Sequence, residues 1–269
     1  MDQAAGLRKA LGRSWAVVSG RGRVGKSNLT ANLGYLLSRT GQQALLVDCD
    51  LGTTGLNNLL GLVPGFRLAD VAAGRCQLSE AILTGPGGLW LVPGMSGVEG
   101  LQALDQAVRQ RLFTDLSDRG RCCAITLLDC GAGISRSVLS FAAAAGAALV
   151  VTTPAPAALT DAYALIKGLH RLGVQLQLIV NRARPGTGQA AAARLQGVCA
   201  RFLNLDLPVL GVIPEDEQVE RAVVNGQLFM QAYPDCPAAR ALVKMATDIS
   251  GQAVPQGSLW GRLGALLER

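Results

Sequence analysis

The chain has 269 residues, 49% hydrophobic but only 4% aromatic, with 25 basic and 19 acidic side chains and a net charge of +6. That length can bury a full aliphatic core as one α/β domain with short appendages, and the longest apolar stretch, Phe141 to Val151, is too short to cross a bilayer. Seven cysteines and one histidine form no C-x-x-C pair and no metal-ligand spacing, and no secretory signal opens the chain, so reduced thiols and a cytoplasmic protein are expected.

Residues 2–11 suit a short helix, with Leu7 and Leu11 on one side and Arg8 and Lys9 on another, marginal in isolation. Trp15-Ala16-Val17-Val18 reads as a buried strand. It leads into Ser19-Gly20-Arg21-Gly22-Arg23-Val24-Gly25-Lys26-Ser27, which satisfies G-x-x-x-x-G-K-[ST], and Leu29, Leu33, Leu36 and Leu37 then mark a helical stripe. This context predicts nucleotide binding. The glycines let the loop wrap phosphate oxygens, backbone N–H groups from Gly20 through Asn28 supply a positive field, Lys26 reaches the β- and γ-phosphates, and Ser27 holds Mg²⁺.

Further strand-like runs follow at 43–47, 89–92, 122–128, 147–152, 174–180 and 207–213, mostly separated by helical segments. The alternation predicts a doubly wound α/β fold, a mostly parallel sheet of about seven strands with helices on both faces. Gly20, Asp48, Asp129, Thr153, Asn181 and Pro214 all fall at carboxyl ends of strands, where such sheets bind ligands. Asp48 and Asp50 are two residues apart just past one strand. Asp129 ends another and precedes the turn Cys130-Gly131-Ala132-Gly133, as a metal-side acid would. Asp50 read alone is equally a helix cap or a catalytic group. His170, between Leu169 and Leu172, reads as a surface or partly packed histidine.

Past Pro255-Gln256-Gly257, the residues Leu259, Trp260, Leu263, Leu266 and Leu267 share one helical face, with Arg262 and Arg269 the nearby cations. The pattern fits either a membrane-surface helix or one docked on the protein itself. Three parts result: a segment over 1–13, a nucleotide-binding domain over 14–251, and a terminal helix over 252–269.

Three passages resemble the MinD/ParA-type deviant Walker ATPases and, within them, the FlhG (FleN) regulators of flagellar number. They are Asp2-Gln3-Ala4-Ala5-Gly6-Leu7-Arg8, the phosphate loop together with Leu46-Val47-Asp48-Cys49-Asp50-Leu51-Gly52, and the stretch from Thr152 to Lys167. The resemblance spans the chain and implies an ATPase with ATP and Mg²⁺ bound between two subunits, the dimer acting as the switch. It implies Lys26 on the phosphates, Ser27 on Mg²⁺, Asp50 orienting the attacking water, Asp129 on the metal side and Asp48 supporting the metal shell. Asn181 and Val212-Ile213-Pro214-Glu215-Asp216 resemble the family's base-contacting asparagine and second adenine-side loop.

The same resemblance implies that Asp2, Gln3, Ala4, Leu7 and Arg8 engage an FlhF-type signal-recognition GTPase. It implies contacts with flagellar switch-complex proteins and a flagellar transcription activator, and reversible association of the terminal helix with the inner membrane face at the cell pole. The chain departs from the pattern at Arg21, where the family has the signature lysine that crosses the dimer, and at Arg23, where it has glycine. Gly55-Leu56-Asn57 also differs from A-N-V-D. Lysine and arginine differ at phosphate sites, and these departures predict slow hydrolysis. Two other functions remain, a non-hydrolysing nucleotide-bound scaffold and a DNA-segregation ATPase. Scattered arginines argue against the latter, and the cysteine spacing argues against an iron–sulfur carrier.

Overall fold

The computed structural model describes residues 13–41, 43–50, 55–94 and 104–251, together with Leu263 and Leu266. Eight strands form one sheet: β1 (Arg13–Ser19), β2 (Ala44–Cys49), β3 (Leu83–Thr84), β4 (Trp90–Val92), β5 (Ile125–Ala132), β6 (Ala147–Thr152), β7 (Gln175–Ala183) and β8 (Val209–Pro214). Their order is β3-β4-β2-β5-β1-β6-β7-β8, with every neighbouring pair parallel except β3–β4. The eighth strand, absent from the sequence reading, is β3. Two residues on an antiparallel edge carry no periodicity for a sequence to display.

β2 and β6 are buried at every residue, because helices cover both faces of the sheet. Successive side chains alternate between two cores. Trp15, Val17, Leu46 and Leu127 join one, against α1 (Lys26–Arg39) and α11 (Pro237–Gly251). Ala16, Val18, Leu45 and Leu128 join the other, against α5 (Gln106–Arg121), α6 (Arg136–Ala145), α7 (Pro156–Arg171) and α8 (Thr187–Leu203). Each buried leucine or phenylalanine side chain, such as Leu116 or Phe141, contributes roughly 1.5–3 kcal/mol over its exposed state. The terminal Leu263 is fully buried in the second core and Leu266 packs against it.

Shorter helices fill the connections: α2 (Leu56–Leu59), α3 (Leu68–Ala72), α4 (Leu78–Ala81), α9 (Glu217–Val224) and α10 (Phe229–Ala232). Local chemistry sets several ends. Ser135 caps α6 by accepting from Val138 N at 3.4 Å, left-handed Gly146 ends it, and Pro156 takes the first position of α7, where no backbone donor is needed. Chain order places β1 between two strands that come later, so connections leave it in opposite directions, and the crevice of a doubly wound sheet opens outside its carboxyl end.

Strand ends run further toward the C-terminus than the apolar runs suggested. β5 begins at Ile125 rather than Cys122, which caps α5, and continues through Asp129 to Ala132. β7 continues through Asn181 to Ala183. The polar residues are inside the paired region, with Asp48 directly opposite Asp129 and Cys49 opposite Cys130.

Candidate nucleotide-binding site

The loop from Gly20 to Gly25 leaves β1 and feeds α1 at Lys26. Gly20 is required by close approach, since a Cβ there would lie 2.3 Å from the backbone carbonyl of Asp161 in α7. Gly25, the residue before α1, adopts φ 89°, a left-handed conformation that glycine takes without penalty. Two consecutive loop carbonyls are gripped from the end of β7: Asn181 Nδ2 donates to Val24 O at 2.8 Å and Arg182 Nη1 donates to Arg23 O at 3.4 Å. A peptide's N–H points opposite its C=O, so the N–H groups of Val24 and Gly25 face away from the β7 side chains that hold those carbonyls. No side chain caps α1, whose first N–H groups have no intrahelical acceptor. This donor set suits a phosphate chain.

Lys26 is 6% exposed, and its Nζ lies 2.6 Å from Asp129 Oδ1 and 3.7 Å from Asp50 Oδ2 while donating to Ser27 Oγ at 3.3 Å. Thr30 Oγ1 donates to the same Asp129 oxygen at 3.2 Å. Burial pulls the Lys26 pKa down, but the charge and hydrogen bond of Asp129, aided by Asp50, outweigh it and leave the amine above its ordinary range. The phosphate-loop lysine is thus a held cation facing two carboxylates.

Asp48 is 2% exposed. Its Oδ1 accepts from Asp50 N at 3.1 Å and its Oδ2 from Leu56 N at 3.0 Å. Burial pushes its carboxyl up to about 6 against those hydrogen bonds, with Asp129 and Asp50 adding repulsion. Asp48 therefore organises the backbone that presents Asp50 and the start of α2. The Asp50 side chain is half-buried above Gly131. Leu56 is fully buried and Asn57 nearly so, its Nδ2 donating to Leu62 O at 3.3 Å, so that altered stretch is built into the fold. Among the described residues no three acidic, histidine or cysteine groups converge as a metal cage. Ser27 and Asp129 would fit the sparse protein ligation of Mg²⁺, which takes its remaining oxygens from water and phosphate, whereas both oxygens of Asp48, expected on the metal side, accept backbone N–H groups.

Arg21 is half-exposed, its Nε 3.6 Å from Asp161 Oδ2 of the same chain. Arg23 takes φ 64°, so the loop does hold this non-glycine residue left-handed. A cleft of about 430 Å³ continues from the loop, lined by Gly25, Asn28, Leu29, Leu59, Asn181, Arg182, Ile213, Pro214, Val219, Val223, Val224 and Phe229, with the acidic Glu215, Asp216 and Glu220 among them. Its apolar walls and the Asn181 side chain suit a nucleobase. Asp216, which lines the cleft with Glu215, also caps α9, accepting from Gln218 N at 3.0 Å, and ties it to α11 through Ala238 N at 3.1 Å. Sequence reasoning missed Arg182, Leu59, Val219, Val223 and Phe229. Only Arg182, adjacent to Asn181, carried a usable signal.

Gly20 through Asn28, Asp48, Asp50, Asp129, Asn181 and Pro214 gather at one end of the sheet, while His170 sits half-buried in the last turn of α7. Asp2, Gln3, Ala4, Leu7, Arg8, Leu259, Trp260 and Leu267 lie outside the described residues. Leu263 and Leu266, expected on a possible membrane-facing stripe, pack on the protein's own core. Among the described residues no helix is long and apolar enough to cross a membrane.

Residues 15–229 match the CobQ/CobB/MinD/ParA nucleotide-binding domain. The chain is 38% identical to the antiactivator FleN of Pseudomonas aeruginosa over 94% of its length and 91% of that protein's. It is 34% identical to the flagellum site-determining protein YlxH of Helicobacter pylori over 82% of this chain and 76% of that one. Among solved structures it resembles the septum site-determining protein MinD complexed with Mg-ADP from Pyrococcus horikoshii, with a TM-score of 0.71 and 28% identity over 90% of this chain and 97% of that one.

Proposed function

Because the chain belongs to the MinD/ParA family of nucleotide-binding proteins, in its FlhG/FleN branch, we propose that it is an ATP-dependent dimer switch that regulates flagellar number and placement. The observation that carries the reading is the convergence of Lys26, Asp129 and Asp50 beneath an uncapped helix and an outward-turned loop. Bound ATP supplies the phosphoanhydride to be cleaved, and Mg²⁺ the charge that neutralises it.

Lys26 exchanges its contact with Asp129 for the phosphates, freeing that carboxylate and Ser27 to support the metal side. Asp50 holds and orients a water, with Asp48 fixing the backbone that presents it. Arg21 leaves Asp161 to reach the partner's phosphates, the role of the signature lysine. The Asp161 pair is half-exposed and weak enough to exchange.

The unit over 14–251 is the switch. Residues 1–13 serve as the segment that stimulates an FlhF-type GTPase through Asp2, Gln3, Ala4, Leu7 and Arg8. Residues 252–269 form a helix that binds the inner membrane face at the pole when Leu263 and Leu266 leave the core. Flagellar switch-complex proteins and a flagellar transcription activator are the downstream partners.

Molecular mass in solution with Mg·ATP and with Mg·ADP, alongside ATP turnover, tests the switch in the parent protein and in Asp50→Ala. A dimer with ATP that accumulates in Asp50→Ala is the expected result. A monomer under every condition, with nucleotide bound but not turned over, overturns the switch in favour of a scaffold.

A further inference from the structure

Asn32 lies at the midpoint of α1 and is fully buried. Asparagine is a poor choice there, since its amide lowers helix propensity and must find partners once it leaves water. A leucine, like its neighbour Leu33, would meet neither penalty. What the amide does in return is specific. Met230 N, 198 positions away, donates to Asn32 Oδ1 at 3.0 Å, and Asn32 Nδ2 donates to Asn28 O at 2.8 Å and to Asn28 Oδ1 at 3.3 Å.

Both ends of this relay are at the cleft. Asn28, directly after Ser27, lines it, and so does Phe229, the residue before Met230 and the first of α10. α10 has four residues and no side-chain cap of its own, so the amide oxygen of Asn32 supplies an acceptor for one of its first N–H groups. Among the described residues this is the one hydrogen bond that joins α10 to α1. Its polarity is fixed by chemistry, because a backbone N–H only donates. Asn32 must turn its oxygen to Met230 and its NH2 to Asn28, which leaves Asn28 its own NH2 for other partners.

We propose that Asn32 is a positioning residue for the nucleoside end of the site. By tying α10 to the helix that carries Lys26 and Ser27, it sets the distance between the Phe229 wall and the phosphate loop, and with it the base that the cleft accepts. The inference rests on the nucleotide-binding reading and adds to it a source of base selectivity. An apolar wall held at a fixed distance from the phosphate contacts favours a base large enough to reach it, so a purine is preferred over a smaller pyrimidine on the same diphosphate.

The test uses the full chain, with calorimetric titration of Mg·ADP and Mg·CDP, which share their phosphates, and thermal melting to establish folding. Asn32→Ala withdraws the acceptor from Met230 N. It is expected to weaken ADP roughly tenfold, the scale of one misplaced apolar contact in a pocket, while CDP changes by less than about threefold. Asn32→Asp keeps an acceptor for Met230 N and is expected to retain the parent's ratio of ADP to CDP affinity, even where both ligands weaken. Phe229→Leu, with Asn32 in place, is expected to lower that ratio as Asn32→Ala does. An unchanged ratio in Asn32→Ala, whether both ligands weaken or neither does, overturns the proposal and leaves Asn32 a packing role. So does a lost preference in Asn32→Asp, or a Phe229→Leu ratio equal to the parent's, and these two outcomes decide where Asn32→Ala does not fold. A parent chain that binds ADP and CDP equally overturns the selecting wall while leaving nucleotide binding intact. A parent chain that binds neither refutes the underlying reading as well.

Discussion

Replacing Lys26 by methionine keeps the bulk of the stem but leaves Asp129, 1% exposed, without its cation. Nζ and Oδ1 are 2.6 Å apart in a site closed to water, so the perturbation breaks a buried ion pair from one side. Such a change costs about 3–5 kcal/mol, because the surviving charge stays desolvated. The hydrogen bond from Thr30 Oγ1 to Asp129 offsets part of that, which favours the lower end. For a domain of this size, about 3 kcal/mol lowers the melting temperature by on the order of 10 °C. Adding Asp129→Asn removes the orphaned charge while keeping an acceptor for Thr30, so Lys26→Met/Asp129→Asn should recover at least about 2 kcal/mol of the loss. Urea unfolding of the parent, both single variants and the double variant, without nucleotide and with a chelator, closes the cycle. Additive losses, or a Lys26→Met cost below about 1 kcal/mol, would refute the picture of a held, buried pair.

Asp48 makes stability depend on pH. Its folded-state value, about 6 against an ordinary 3.8, means that the folded protein binds the proton more tightly than the unfolded chain. Stability therefore falls as pH rises from about 4 to about 6, by on the order of 3 kcal/mol in total. Chelated parent and Asp48→Asn, compared by urea unfolding at pH 4.5 and 7, should diverge by about 2 kcal/mol over that interval; parallel curves would contradict the assignment. Arg21→Ala should change stability by less than about 1 kcal/mol, given the half-exposed 3.6 Å pair with Asp161. The same variant should lose the ATP-dependent dimer in a mass measurement, and retention of that dimer would remove Arg21 from the interface. Leu263→Ala, at a fully buried site, should cost about 2–3 kcal/mol by thermal or urea unfolding. A cost under about 0.5 kcal/mol would mean that the tail is undocked in solution.

The fold class and the phosphate loop were legible in the sequence because both are local signals. Strands buried on both faces read as unbroken apolar runs, as at Ala147–Thr152, and the loop's glycines and lysine have fixed spacing set by backbone geometry. The carboxylates were legible as strand-end residues, and the family resemblance rested on short passages as well, at 2–8, at the phosphate loop with 46–52, and at 152–167. What Asp48 does was not legible, since its partners Asp50 N and Leu56 N depend on where the chain returns after β2. Nor were the cleft walls Val219, Val223 and Phe229, which reach the loop only because β8 lies at the far edge of the sheet and the chain folds back over it. Arg23 shows the division most plainly. Its departure from glycine is visible in one line of sequence, but its left-handed backbone and its contact with Arg182, 159 positions away, exist only once β1 and β7 are in the same sheet. Local chemistry determined which elements form and which loop carries the phosphate-binding motif, while contacts between residues remote in the chain, whose energies depend on distance and burial, were decided only by tertiary packing.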